Sequence, residues 1–404
     1  MTTAIATDLL TPLGAYLRLR EGARASFLLE SVERGRLGRY SFVGSGSRLV
    51  YLNEAEAAGL PVVGYVGYDW VAKLEPTVPL PDDGPGLPES RFVVADTLIR
   101  FDHVRGIAEV LHGDSGALDG PQPPVPRGAG TRGALRRFPD RREHERRIER
   151  AKEYIRAGDA FQIVVSQRAE RPTSASALEL YRALRRVNPS PYLFLLELDG
   201  LSLIGSSPET VVKCDGRRAE VNPIAGSIAP GAGDAEALLS SEKDRAEHVM
   251  LVDLGRNDLS RVCKPGTVRV ERFLEPERFS HITHLVSEVA GELRDGVTAF
   301  DLLRACFPAG TVSGAPKIRA MQIISELEGY RRGVYAGAVG YALPGGALDT
   351  CIAIRTMVLR EGVALLQAGG GIVADSDPAE EHQECLNKLA ALEAAIELAE
   401  AEQR

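Results

Sequence analysis

The chain has 404 residues, 44% of them hydrophobic and 26% charged, with a formal net charge of −8. That length and balance suit a globular protein able to bury one large core or two smaller ones without staples. The acidic balance excludes a nucleic-acid binder held by clustered cations on phosphates, and it suits a site that holds a divalent cation. Five cysteines, Cys214, Cys263, Cys306, Cys351 and Cys385, are scattered with no CxxC pair. They argue against a zinc site and a disulfide framework, and for a reducing cytoplasm. No basic start leads into a long apolar run and no run of ~18 apolar residues occurs, so neither a signal peptide nor a transmembrane helix is expected.

In chain order, residues 26–46 read as a strand, a charged turn and a second strand, with Gly35 and Gly38 allowing the reversal. Residues 64–70, GYVGYDW, form an aromatic and glycine patch, and 92–101 read as a strand. Residues 113–133 are rich in Gly and Pro and mark the main organisational break, dividing 1–135 from 136–404. Asp140 caps a charged helix ended by Gly158. In the strand 160–169, Gln162, Val164 and Ser166 share one face. A helix over 178–187 stops at Asn188-Pro189-Ser190-Pro191, and two strands follow about the Asp199-Gly200 turn. SSPE then places Glu209 just past a proline. One helix is expected over 234–261, with Glu247 on the face of Met250 and Leu251, where a carboxylate needs a partner or a metal.

HITHLVS carries His281 and His284, and residues 307–320 form a glycine-containing loop with Thr311-Val312-Ser313-Gly314. Strict alternation over 349–359 puts Cys351, Ala353, Arg355 and Met357 on one face, making Arg355 a mid-sheet arginine in need of an anion. Residues 365–388 read as a strand, a turn at Gly369-Gly370-Gly371 and a helix capped by Asp377 and Pro378. On that helix Glu381, Glu384 and Lys388 share a face, by itself equally compatible with a solvated stripe holding a Glu384–Lys388 pair. With Glu247 and Arg355 added, the set asks for a small polyanion held partly through magnesium, which prefers oxygen ligands. The chain has no P-loop, no GxGxxG after a strand and no GxSxG, so nucleotides and serine hydrolysis fit poorly.

The blocks DAFQIVVSQR, NPSPYLF, SSPE, NPIAG, EKDRAEHVMLVDLGRNDL, FPAGTVSGAPKIRAM, GAVGY, CIAIRT and QAGGGIVADSDP…NK, in this order, resemble the chorismate-utilising enzymes, above all their anthranilate synthase component I branch. The resemblance covers about residues 140–404 strongly and the first hundred more loosely. It implies an α+β fold of large antiparallel β-sheets packed face to face with helices outside. Residues 136–404 would be the catalytic domain, and 1–135 a regulatory-type region interleaved with it. It also implies that Glu247, Glu381 and Glu384 hold Mg²⁺ against chorismate. Tyr341, Arg355, Lys388 and the N–H groups of Gly369, Gly370 and Gly371 would grip its anionic groups, with Ala225 and Gly226 beside them. Glu209 would protonate the departing hydroxyl, Thr311 would complete the anion site, and His284 would be base or orienter in the pyruvate elimination.

Gln162 stands where water-adding relatives resemble one another in having Lys, and Ala225 where the aminodeoxychorismate branch has a nucleophilic Lys. Both imply ammonia as nucleophile and anthranilate as product. Ser227-Ile228 replaces the usual Thr-Arg, and the connection between Tyr51 and Gly64 is shorter than in the family. The LLES resemblance implies a tryptophan site between Glu30-Ser31 and Asn188, Pro189, Ser190, Pro191, Tyr192 and Leu193. No cysteine-centred nucleophile elbow with a downstream histidine is present, so a separate glutamine amidotransferase subunit is expected to supply ammonia. The alternatives are an aminodeoxyisochorismate synthase, which stops before elimination, and a non-catalytic amino-acid-binding regulator.

Overall fold

A computed structural model describes residues 4–33, 36–119, 121–128, 133–228, 231, 233–278 and 283–402. His281, Gly35 and the side chain of Ser227 lie outside what is described. Two antiparallel sheets dominate, one twelve-stranded and one ten-stranded among the described residues. In the larger, Ala25–Glu30 lies between Tyr40–Gly46 and Tyr192–Leu198, and the order continues through Leu201–Ser207, Thr356–Arg360, Val363–Ile372 and Gln162–Pro172. In the smaller, Thr210–Asp215, Leu348–Ile352, Ala338–Ala342, Val62–Val66 and Ser90–Val94 are consecutive. Strands from the first 135 residues thus extend both sheets.

The sheets pack face to face. Phe27, Val63, Tyr65, Val93, Phe194, Leu196, Leu203, Val339 and Cys351 fill the space between them, all buried. Each fully buried Leu, Val or Phe contributes roughly 1.5–3 kcal/mol relative to exposure. Helices cover the outer faces: Ala177–Val187 and Pro378–Ala401 on the larger sheet, Glu242–Ser260 and Ala299–Cys306 on the smaller. Local signals set their ends. Asp140 accepts from Glu143 N, Ser176 and Glu179 form a capping box, and Asp377 accepts from Ala379 N and Glu380 N before Pro378, each cap worth about 1 kcal/mol. The five cysteines are buried and unpaired, and no helix of the described residues is long and apolar enough to cross a membrane.

Four expectations from periodicity change. The stretch 92–101 is two strands, Ser90–Val94 and Thr97–Asp102, in different sheets. At the change, Ala95 N bonds to Pro61 O and Asp96 N to Ser45 O, one partner on each side. The stretch 349–359 likewise divides into Leu348–Ile352 of the smaller sheet and Thr356–Arg360 of the larger. Arg355 therefore lies in the crossing and not on a mid-sheet strand; its φ of 48° breaks the alternation. The helix expected over 234–261 is two, Asp234–Ser240 and Glu242–Ser260, because Ser241 caps the second through Asp244 N. Finally, Gly369, Gly370 and Gly371 form no turn. They continue the strand Val363–Ile372, opposite Ser166, Val165 and Val164.

Candidate active site

Two crossings lie side by side. The ribbon that pairs Leu201–Ser207 with Thr356–Arg360 in the larger sheet leaves it at Pro208-Glu209 and Ala353–Arg355. It resumes in the smaller sheet as Thr210–Asp215 paired with Leu348–Ile352. Ser206 N donates to Arg355 O at 3.1 Å and Ile352 N to Glu209 O at 2.9 Å, so the backbones of the acid and the arginine are fixed to each other. Positive φ at a bulky residue costs roughly 1–3 kcal/mol, and here it turns the Arg355 side chain toward Glu209.

Around Glu209 stand Thr311, Lys388, Arg355 and Glu247. Burial pushes the Glu209 carboxyl up to about 8; Thr311, Lys388 and Arg355 oppose the shift, and the like charge of Glu247 adds to it. A carboxyl with that value is mostly protonated at neutral pH and can give up its proton. The Thr311 hydroxyl is buried against the Glu209 carboxyl, and its hydrogen bonding to that group is what opposes the shift. Arg355 also faces His284, whose pKa is lowered by burial and by that guanidinium. His284 Nδ1–H donates to Gly226 O at 3.1 Å, which leaves Nε2 as the acceptor. Gly226 has φ 74° at a bulge between Ala225 and Ser227, so the carbonyl can reach the ring while Ala225 remains buried opposite Leu285.

The three consecutive glycines make a bare strip beneath this cluster. A Cβ on Gly370 would meet Glu381 Oε2 at 2.7 Å, one on Gly371 would meet Gln162 Nε2 at 2.6 Å, and one on Gly369 the Tyr335 hydroxyl at 2.8 Å. Gln162 donates to Glu247 Oε1 at 3.0 Å, Ser376 Oγ to Glu381 Oε1 at 2.7 Å, and Lys388 to both Glu384 (2.6 Å) and Gly369 O (2.9 Å). Burial raises the Glu381 pKa, Ser376 lowers it, the neighbouring Glu384 raises it, and Lys243 and Lys388 lower it. From two helices, Glu247 reaches the Gly371 face through Gln162, Glu381 lies on the opposite face at Gly370, and Glu384 is tied to the Gly369 carbonyl through Lys388. Among the described residues no three acidic, His or Cys side chains already converge as a metal cage; each carboxylate is turned onto a protein donor. The donor set is all oxygen, which fits a hard divalent cation.

Tyr341 is not brought to this cluster. It lies in Ala338–Ala342 with its ring 4.6 Å from that of Phe42, lining a separate cavity of about 820 Å³ between the sheets. The tyrosine that reaches the strip is Tyr335, six residues earlier, whose phenol is raised by burial. Its signal in the sequence is its position in an irregular, glycine-flanked segment before the strand. The separate cavity is lined by Glu30, Ser31, Pro191, Tyr192 and Leu193. Asn188 instead donates to Ser206 Oγ at 3.0 Å, and neither Pro189 nor Ser190 lines it. Glu30 pairs with Arg185 at 3.3 Å and accepts from Tyr181. Tyr192 donates to Asp349 at 3.0 Å, and the lining carries charges of both signs, among them Arg39, Lys213 and Asp349.

A two-sheet α+β sandwich with a raised carboxylic acid, a neutral histidine, an arginine, a lysine and three further carboxylates defines an acid–base enzyme for a small anionic substrate. The family model described as chorismate binding enzyme matches residues 18–394, and the chain belongs to that family. Anthranilate synthase component 1 of Thermus thermophilus is 43% identical, over 98% of this chain and 97% of that protein. That of Streptomyces coelicolor is 44% identical over 98% and 88%. Among solved structures, anthranilate synthase component I from Streptococcus pneumoniae superposes with a TM-score of 0.77 at 34% identity, covering 96% of this chain and 99% of that one. The menaquinone-specific isochorismate synthase from Escherichia coli, at 22% identity and a TM-score of 0.79, shares the fold over 98% of this chain and 94% of that one.

Proposed function

We propose that this site converts chorismate and ammonia to anthranilate, pyruvate and water, as the component I half of an anthranilate synthase. The observation that carries the reading is the Glu209 carboxyl, raised to about 8 between Arg355, Lys388 and Thr311. In the first step Glu209 protonates the departing ring hydroxyl while ammonia adds to the ring carbon beside the carboxylate. Gln162, an amide in place of a base, holds Glu247 and leaves ammonia the only competent nucleophile at that face. In the second step His284 takes the proton from the aminated carbon, the enolpyruvyl ether bond breaks, the released enolate takes up a proton to become pyruvate, and the ring becomes aromatic. Arg355 and Tyr335 bind the enolpyruvyl carboxylate, Thr311 and Lys388 the remaining oxygens. Glu247, Glu381 and Glu384 would hold a magnesium ion, which supplies positive charge against the ring carboxylate.

The test is incubation of the purified chain with chorismate, magnesium and an ammonium salt, following anthranilate fluorescence and pyruvate. Both products should form, and glutamine should not replace ammonium until an amidotransferase subunit is added. A non-aromatic amino diacid without pyruvate from the unmutated protein would instead identify an enzyme that stops after amination. The kcat/KM for chorismate, measured at constant free ammonia, should fall as pH rises through about 8, because the acid form of Glu209 is lost on that side. Glu209→Gln should remove that limb along with most of the activity.

The cavity between the sheets suits a feedback site for tryptophan, with residues 1–135 as the regulatory-type region interleaved with the catalytic part. Its opposite charges match an α-amino acid, and its aromatic wall of Phe42 and Tyr341 matches an indole. Ser31→Arg should abolish tryptophan binding in calorimetry while turnover without tryptophan stays within about twofold. Equal heats for both proteins would remove this assignment.

A further inference from the structure

We propose that Arg332 is the positioning residue of the substrate end of this site, a role that rests on the reading of the site just given. Arg332 lies four residues beyond the Lys317–Glu328 helix, which ends at Gly329 with φ 59°. Its guanidinium is buried at the meeting point of three walls. Nε and Nη2 form a fork on Glu328 at 2.9 and 2.7 Å, Nη1 donates to Val312 O at 2.7 Å, and Nη2 also donates to Val164 O at 2.8 Å. The cation sits 4.7 Å from the Tyr68 ring centre and 5.4 Å from that of Tyr335. Glu328 in turn accepts from Ser166 N and Ser166 Oγ at 2.9 and 2.7 Å. From the other side, Asp69 takes the backbone N–H groups of Arg332 and Gly333 at 3.1 and 2.9 Å.

Three of those partners, Val312, Val164 and Tyr335, adjoin or belong to the proposed substrate site. Val312 follows Thr311, Val164 lies two residues from Gln162 on one strand face, and Tyr335 reaches the glycine strip directly. A single rigid fork therefore sets the loop, the strand and the phenol relative to one another. Arg332 itself is not among the groups acting on Glu209 and touches none of the three proposed metal carboxylates through a hydrogen bond. Lysine keeps the charge but offers a point donor, which cannot span Val312, Val164 and both oxygens of Glu328. Nearby cationic charge also lowers the Tyr335 phenol against its burial, favouring it as a donor to a carboxylate.

Arg332→Lys is expected to raise the chorismate KM roughly tenfold while kcat changes less than about threefold, the pattern of lost substrate binding. The alkaline limb assigned to Glu209 should move upward, since Thr311 would no longer be held against it. A merely structural role predicts the reverse: KM within twofold, an unmoved limb, and kcat falling in proportion to the folded fraction measured by circular dichroism. That result overturns the proposal. If Arg332→Lys does not fold, Glu328→Gln carries the same measurements, since it keeps the side-chain shape but breaks the ionic fork. It is expected to raise KM by roughly fivefold, and an unchanged KM overturns the proposal equally. Absence of chorismate turnover by the unmutated protein would defeat the functional reading and this role with it, whereas normal turnover with an unchanged variant KM defeats only this role.

Discussion

Glu247→Gln should lower magnesium-dependent turnover by roughly 10³-fold and leave the protein folded. The carboxylate accepts a 3.0 Å hydrogen bond from Gln162, and a glutamine oxygen at the same place can accept it too, so shape and local bonding survive. What disappears is one negative charge of the three proposed to hold the cation. Glu384→Gln should act in the same direction. Its pair with Lys388 is half exposed, at 51% and 39% of the side chains, so losing it costs at most about 1 kcal/mol of stability. Initial rates across a magnesium titration, with thermal unfolding as the control, separate the two effects. Unchanged rates at limiting magnesium in both variants would mean that the stripe on the Pro378–Ala401 helix is only a solvated face with an ion pair.

The second large effect is a change of product. His284→Ala should retain amination of chorismate while anthranilate fluorescence and pyruvate fall together by about a hundredfold, the usual contribution of a positioned base. A non-aromatic amino diacid should accumulate, visible by chromatography. The histidine suits this role because burial and Arg355 keep it neutral near pH 7, and its Nδ1–H is committed to Gly226 O. Undiminished anthranilate formation by the variant would assign the proton removal elsewhere.

Local chemistry was readable from the chain. Asp377-Pro378 and Asp140 announce their helices because a cap depends on three or four neighbouring residues. Gln162, Glu209, Glu247 and Arg355 were likewise picked out, and the fold brings them into one region. Alternation, by contrast, carries no mark of which sheet a strand belongs to. It runs on through Asp96 and through Arg355 although the chain changes sheets at both places. The glycine triplet looked like a turn because glycine permits one, whereas here the missing side chains make room for Gln162, Glu381 and Tyr335. Tyr335 stands just before the GAVGY block that ends in Tyr341, and packing separates their roles, Phe42 holding Tyr341 in the cavity while the Tyr335 hydroxyl reaches Gly369.

The adjacent crossings at Pro208-Glu209 and Ala353–Arg355 place the proposed acid and arginine where the two sheets are joined. Both strands of the ribbon pass from one sheet to the other there, so the acid and the arginine sit at a covalent join between the sheets, as Ala95-Asp96 does elsewhere. A ligand in the cavity lined by Ser31 and Tyr341 that altered the angle between the sheets would be expected to change how Glu209 and Arg355 are aimed. Substitutions that alter the thickness of the inter-sheet filling, at Phe194 or Val339, are therefore expected to change turnover as well as the unfolding temperature.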